Sequence, residues 1–415
     1  VVTLLVCASS PAVFAQDDDG VGWTLAGVQD VRDLFESVSS FVDAKLSPDG
    51  TMAAAPQRAE QLCVYTIANN ALGCTPWPER TPLAHYVTWS PDGAYLAFAT
   101  EFFRRFYEPD LWVYDVAASS FTNLTDDGLE GGILGLDGAL IDYLPMWHPT
   151  NGDIYFFRTR DVGDDRSLEL YRISPAGGEP ELIRDLTRDL PTLSVYEQAA
   201  ISPDGGQVAM IVLGNERDDP RNGVWLLSLG GFMRPGGELR QVLTLDDFRA
   251  NRPNWQEESM MMPQSLAWTA DGSGLVVIGQ DPMYITGISM NAAYIDAQTG
   301  EVTLLMDYRD VPDEQSWVTA AEGEAHSGSY RMPRIGILSP DGKAFIYLHH
   351  DMGGSEMIDI SALPLPPDGS EPVYLGSVEF AVGPGGTWDR YLVTASENGL
   401  ALLPAYHFLL TLEKE

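Results

Sequence analysis

Residues able to do acid–base or metal chemistry are few in this chain. Its 415 residues include six histidines, His85, His148, His326, His349, His350 and His407, and three cysteines. No G-x-S-x-G segment offers a nucleophile on a strand-to-helix turn. No H-E-x-x-H or paired Cys-x-x-Cys spacing offers a zinc site. His349 and His350 end an apolar run that reads as a strand; neighbours on a strand point to opposite faces, so only one of them can serve a given site. The cations suited to gripping a carboxylate are arginines, whose planar fork pairs bidentately. Arg104 and Arg105 stand among aromatics in TEFFRRFYEPD (100–110), and Arg334 stands in RMPRIGIL (331–338). Acidic groups such as Asp17-Asp18-Asp19 and Asp164-Asp165 are of the type that holds Ca²⁺, with a solvated acidic surface as the default reading, and no cofactor is expected.

The elements that would position these residues follow from composition and repetition. Asp and Glu number 60 against 24 Lys and Arg, a net charge of −36, with 45% apolar residues. That balance is globular and argues against nucleic acid or an anionic membrane as partner, since phosphate binding needs a basic surface. Residues 1–15, VVTLLVCASSPAVFA, read as the remnant of a signal peptide, with Val13 and Ala15 at the −3 and −1 positions of a cleavage before Gln16. No later stretch is long and apolar enough to span a membrane. An exported chain, periplasmic, cell-surface or extracellular, is expected, soluble once the leader is removed.

Cys63 and Cys74 fit that compartment. They flank a strand–turn–strand pattern, and a two-residue loop at Ala68-Asn69 would set them directly opposite each other, so a disulfide is expected. Residues 28–38, VQDVRDLFESV, carry apolar side chains at helical spacing. The segment 16–40 is therefore expected to supply a short docking helix or a strand that closes the fold.

A repeat dominates the rest. LSPDGTMAAA, WSPDGAYLAFA, WHPTNGDIYFF, ISPDGGQVAMIV, WTADGSGLVVIG and LSPDGKAFIYL recur from residue 46 onward, with a degenerate seventh, VGPGGTWDRYLVT, at 382–394. Each is strand, turn, strand: Pro presets the turn, Asp bonds nearby backbone and Gly accepts positive φ. Most units continue with a second strand pair, so each supplies four antiparallel strands, a to d. The expectation is an all-β fold, a closed β-propeller of four-stranded blades over 41–415. Seven turns favour seven blades, with six the alternative. The last strand of the ring is either 407–412 or the N-terminal 21–27. The S-P-D-G hairpin resembles the PD40, or WD40-like, repeat of TolB-like propellers and of prolyl-oligopeptidase-type propellers. With no nucleophile-elbow motif beside the repeats, a complete enzyme of the latter type is not expected. Some TolB-like propellers are uronate lyases that use several histidines at the channel mouth; here His85 and one of His349 and His350, with His326, are the candidates.

The geometry of such blades separates two faces. The a–b and c–d turns are short and share one face; the long b–c and d–a loops share the other, where Phe102, Phe103, Phe106, Tyr107, Tyr284, Trp255 and Trp317 accompany Arg104 and Arg105. Reading back from each turn along the innermost strand places Asp43, His85, Tyr143, Gln198, Gln264, Arg334 and Glu379 near the channel rim on the loop face. Arg334 is the preferred anchor for an acidic ligand, with His85, Tyr143, Gln198, Gln264, Arg104 and Arg105 beside it. With no assembled catalytic set, the expectation is a non-catalytic binder of a protein, peptide or glycan. The alternatives are a polysaccharide-active lyase or hydrolase at the channel mouth and an accessory subunit of a cell-envelope complex.

Overall fold

A computed structural model describes residues 21–31, 44–57, 61–78, 84–100, 110–126, 140–162, 165–191, 193–214, 216, 219–230, 237–245, 247, 262–280, 290–306, 331–351, 357–379, 391–403 and 408–414. The chain opens with β1 (Trp23–Asp30), which is used last. Blade one is β2 (Lys45–Leu46), β3 (Met52–Gln57), β4 (Gln61–Thr66) and β5 (Ala71–Pro76); blade two is β6 (Ala84–Trp89), β7 (Tyr95–Thr100), β8 (Leu111–Asp115) and β9 (Ser120–Asn123). Blade three is β10 (Leu140–Trp147), β11 (Ile154–Val162), β12 (Asp165–Ile173) and β13 (Glu181–Asp185). Blade four is β14 (Leu193–Ile201), β15 (Gln207–Gly214), β16 (Gly223–Ser228) and β17 (Leu239–Thr244). Blade five is β18 (Met262–Trp268), β19 (Gly274–Gln280), β20 (Met290–Asp296) and β21 (Val302–Met306); blade six is β22 (Arg331–Leu338), β23 (Ala344–Asp351), β24 (Met357–Pro364) and β25 (Val373–Glu379). Blade seven runs β26 (Tyr391–Thr394), β27 (Leu400–Leu403), β28 (Phe408–Lys414) and then β1, of which β27, β28 and β1 are paired with one another while its first strand, β26, is paired with β22 of blade six.

Pairing within every blade is antiparallel, and the seven blades stand in a ring. Among the described residues seven apolar clusters form, one at each junction between neighbours. The junction of blades seven and one packs Leu402 and Leu409 against Ala53, Ala55 and Tyr65, so the first and last blades are joined by the same burial as the rest. This is how an antiparallel all-β chain hides its sheet faces, each blade covering the next.

Three sequence expectations are corrected. The seventh a–b turn is not Gly383-Pro384-Gly385-Gly386 but Ser396-Glu397-Asn398-Gly399, where the Ser396 hydroxyl donates to Asn398 Oδ1 at 2.7 Å. An asparagine carbonyl accepts the bond that the turns of blades one, two, four, five and six give to aspartate, which is why the motif survives without its Asp. Glu379 consequently ends the outer strand β25 and does not sit on an inner strand. Val28, Gln29 and Asp30 are strand, not helix: they pair with Leu410, Leu409 and Phe408, and Leu25 and Val28 pack on the blade six–seven core. Residues 32–38 lie outside the described residues. Both segments proposed as the last strand are used, 408–414 as the third strand of blade seven and 23–30 as its fourth.

The disulfide is as expected, Cys63 Sγ to Cys74 Sγ at 2.05 Å on paired positions of β4 and β5. Its hairpin turns through Ile67–Asn69, a 3₁₀ turn, and the left-handed residue is Asn70 (φ 56°), one later than the sequence pattern placed it.

Candidate functional site at the loop-face mouth

The SPDG turns fix the opposite face. In blade two the Ser90 hydroxyl donates to Asp92 Oδ1 at 2.6 Å and accepts the Tyr95 N–H at 2.9 Å, while Asp92 Oδ1 accepts the Ala94 N–H at 3.1 Å. Blade four repeats this with Ser202, Asp204, Gly206 and Gln207, and blade six with Ser339, Asp341, Lys343 and Ala344. In blade three His148 takes the serine's place, its Nδ1 accepting the Thr150 N–H at 3.3 Å. The histidine is structural. With these turns anchored, each inner strand runs from a rigid hairpin towards the loop face.

At that end the inner strands share one distortion. The a–b register slips after His85 in blade two, after Tyr143 in blade three, between Val195 and Ala199 in blade four, between Pro263 and Ser265 in blade five, and between Pro333 and Ile335 in blade six. Gln264 and Arg334 are the inserted residues of their bulges, and Gln198 lies within the third. Tyr86 (φ 56°) and Leu144 (φ 53°), directly after His85 and Tyr143, take the left-handed conformation that non-glycine residues rarely adopt. A bulge redirects the side chains around it and interrupts pairing. The slips thus fall at five of the seven positions read from sequence. Asp43, Arg104 and Arg105 lie outside the described residues, as do the loop aromatics and His326.

Two of the five already have local duties. The Gln198 carbonyl oxygen accepts the Leu266 backbone N–H at 2.7 Å, tying the blade four bulge to the inner strand of blade five. Tyr143 is half-buried and stacks obliquely on Phe157, ring centroids 6.0 Å apart, in the core between blades three and four. Beside it Arg158 clamps the buried Asp142 through Nε and Nη2, each at 2.7 Å, with its guanidinium 4.8 Å from the Tyr171 ring centroid. Burial alone would lower the Arg158 pKa, but the charge and hydrogen bonds of Asp142 outweigh it and hold it above its ordinary value. Pattern reading missed this pair; the signal available was an acidic and a basic residue on strands that must be neighbours.

The last departure concerns β26. It pairs in parallel with β22, Ile335 to Tyr391 through Leu338 to Thr394, and its Leu392 N–H donates to Ser265 Oγ on β18 at 3.2 Å. The inner strand of blade seven therefore reaches between the inner strands of blades five and six, directly after Arg334. His349 is paired with Pro333 on the other side of the same bulge. Among the described residues no group of three or more His, Cys, Asp or Glu is placed to hold a metal ion, and no helix is long and apolar enough to cross a membrane.

No family model matches the chain, and no curated protein matches it. Solved structures do. An oligogalacturonate lyase from Vibrio parahaemolyticus aligns with TM-score 0.52 at 11% identity, covering 90% of each chain. The Cps50 (Swd1) β-propeller domain of Myceliophteria thermophila aligns with TM-score 0.51 at 8% identity, covering 95% of this chain and 100% of that one. TolB from Acinetobacter baumannii aligns with TM-score 0.41 at 14% identity, over 79% of this chain and 67% of that one. At such identities the likeness is one of fold, and it agrees with the repeat and the strand order: the chain is a seven-bladed β-propeller built from SPDG-type hairpins.

Proposed function

We propose that this chain is an exported, non-catalytic propeller that binds a carboxylate-bearing protein, peptide or glycan at its loop-face mouth. The observation that carries the reading is the shared register slip of blades two to six, which falls on His85, Tyr143, Gln198, Gln264 and Arg334. Five such bulges are a costly irregularity in strands whose other ends are uniform, and bulges concentrate where a sheet must present side chains. Arg334 is the anchor, a permanent cation in a chain of net charge −36. The Cys63–Cys74 disulfide suits an oxidising compartment and supports export.

The test is a glycan and peptide array probed with the purified chain, followed by Arg334→Ala. Binding of acidic members should be lost while the melting temperature stays nearly unchanged. Retained binding after the substitution overturns the reading.

A second reading is favoured by the register of His349 beside the Arg334 bulge, which brings a titratable side chain's strand position next to the anchor. A polyuronate-cleaving enzyme would use it as base, in line with what the Vibrio structure of similar fold is named for. Appearance of unsaturated, ultraviolet-absorbing product from polygalacturonate would select this reading over simple binding.

A further inference from the structure

We infer a second binding site on the opposite, short-turn face, between blades four and five, shaped for a small zwitterion such as a free amino acid or dipeptide. A pocket of about 340 Å³ opens there, lined by Gln207, Leu226, Ser228, Glu238, Arg240, Ala297 and Gln298. Its construction can be read strand by strand. Gln207 pairs with Ser228, and the Ser228 N–H donates to the Glu238 carbonyl at 2.9 Å, so these three residues stand abreast across the blade. One row deeper, Ala209 pairs with Leu226 and Leu226 with Arg240. Deeper still, Ile211, Val224 and Val242 join the apolar core shared with blade five. The same blade face that is oily in its middle therefore turns polar at its short-turn end, over a floor made by Leu226 and Ala297, which are 1% and 6% exposed.

The residue five after the first position of each turn is Met52, Tyr95, Gly274 and Ala344 in blades one, two, five and six; it is polar in blades three and four, as Asp153 and Gln207. Arg240 is held in place from across the junction, donating from Nη2 to the Ala297 carbonyl. A guanidinium has five N–H donors, so one fixed bond orients the fork and leaves the others for a ligand.

The ligand class follows from the charges. Arg240 is the second residue of β17 and Glu238 the residue just before the strand, and both line the pocket. A carboxylate fits the arginine and an ammonium fits the glutamate. The hydroxyl of Ser228 and the amides of Gln207 and Gln298 both donate and accept, as the peptide or side-chain groups between those charges require. None of the lining residues is aromatic, so the pocket offers no stacking platform for a base. The volume lies at the small end of ligand pockets, which suits an amino acid or dipeptide.

Isothermal titration calorimetry on the whole chain tests this, using the twenty free amino acids and Gly-Gly as probes and N-acetylglycinamide, which lacks both charges, as the control. At least one zwitterion should bind and the capped control should not. Arg240→Gln and Glu238→Gln should each weaken binding about tenfold or more, as loss of a charge-assisted bond does. Arg334→Ala, on the other face, should leave it unchanged, which separates this site from the loop-face one. Arg240 also supports Ala297, so its variant is checked by thermal melting; Glu238→Gln keeps that bond and gives the reading if Arg240→Gln does not fold. No heat with any zwitterion, equal binding of the capped control, or parent-like binding by Glu238→Gln overturns the inference.

Discussion

The indole of Trp147 donates its N–H to the backbone carbonyl of Thr88, 3.2 Å away on the inner strand of the preceding blade. The same bond recurs from Trp89 to Lys45 at 2.9 Å and from Trp268 to Ala200 at 3.0 Å. Each tryptophan stands one residue before its turn, and each carbonyl two residues before the turn of the neighbour. A tryptophan directly before the turn thus encodes a blade-to-blade stitch as well as marking a hairpin. Trp23 adds a variant at the seam, donating to Asp341 Oδ1 at 3.0 Å from the outer strand of blade seven.

Trp268→Phe should keep most of the buried ring area while removing one of the two hydrogen bonds at the Ala200 carbonyl, which is also paired with Ala209 in the blade four ladder. The expected cost is about 0.5–1.5 kcal/mol, the net worth of one hydrogen bond. Urea unfolding measures it, and a second substitution at Trp89, several blades away, should add independently. An unchanged midpoint would mean that the carbonyl is reached by water.

Acid should attack the turns. The Asp92 carboxylate is held below its ordinary pKa by the Ser90 hydroxyl and the Ala94 N–H, and Asp204 likewise by Ser202 and Gly206. A depressed folded pKa contributes stability that is complete above the ordinary carboxylate value and is lost as pH falls through the lower folded value. The loss therefore lies below about pH 4. Asp92→Asn and Asp204→Asn copy the natural Asn398 turn, keep the bonds and remove the titration. Melting temperatures followed from pH 7 to about pH 2.5 should fall less steeply for this double variant than for the parent.

A side chain at Gly336 would force its neighbours to shift. A Cβ there would lie 2.5 Å from Phe345 Cε2, 2.8 Å from Ile278 Cδ1 and 3.0 Å from Leu392 Cδ1. Gly336→Ala should push β26 off β22 at a cost of about 1–3 kcal/mol. Chemical unfolding gives the cost, and native-state amide exchange at Leu392 should quicken with it. Parent-like exchange there would show that the parallel pairing does not depend on this contact.

Reducing the Cys63–Cys74 bridge frees a loop of sequence separation 11. On the chain-entropy account its loss costs at most about 3 kcal/mol. Cys63→Ser with Cys74→Ser should lower the melting temperature modestly and leave the far-ultraviolet spectrum of the propeller intact. Collapse of the whole fold would assign the bridge a larger role than one hairpin.

What could be read in the sequence was what residues decide among near neighbours. The Ser-x-Asp-Gly bonds close within six residues, so six of the seven turns and the strand pairs on either side of them were visible without coordinates. The disulfide is also local, because a hairpin's register follows from its turn even when the turn shape is misjudged by one residue. The inner strands were legible, but not the bulges in them. A bulge depends on how two strands count against each other, and the spacing pattern carries only one of them.

The tertiary structure decided what distant strands do to one another. Ser396 and Asn398 form the seventh turn with the serine-hydroxyl bond that most of the other turns use. β1 became the outer strand of blade seven because β28 offered an open edge at the far end of the chain. Gln198 was drawn to Leu266, and β26 to β22, by backbone groups 68 and some 55 residues away that had to be satisfied. Arg240 met the blade five turn only because packing the apolar faces of blades four and five brought their ends together. The hairpin alphabet is written locally, whereas the stitches, the seam and the pocket arise where blades meet, and burial of their faces, summed over the whole ring, sets those meetings.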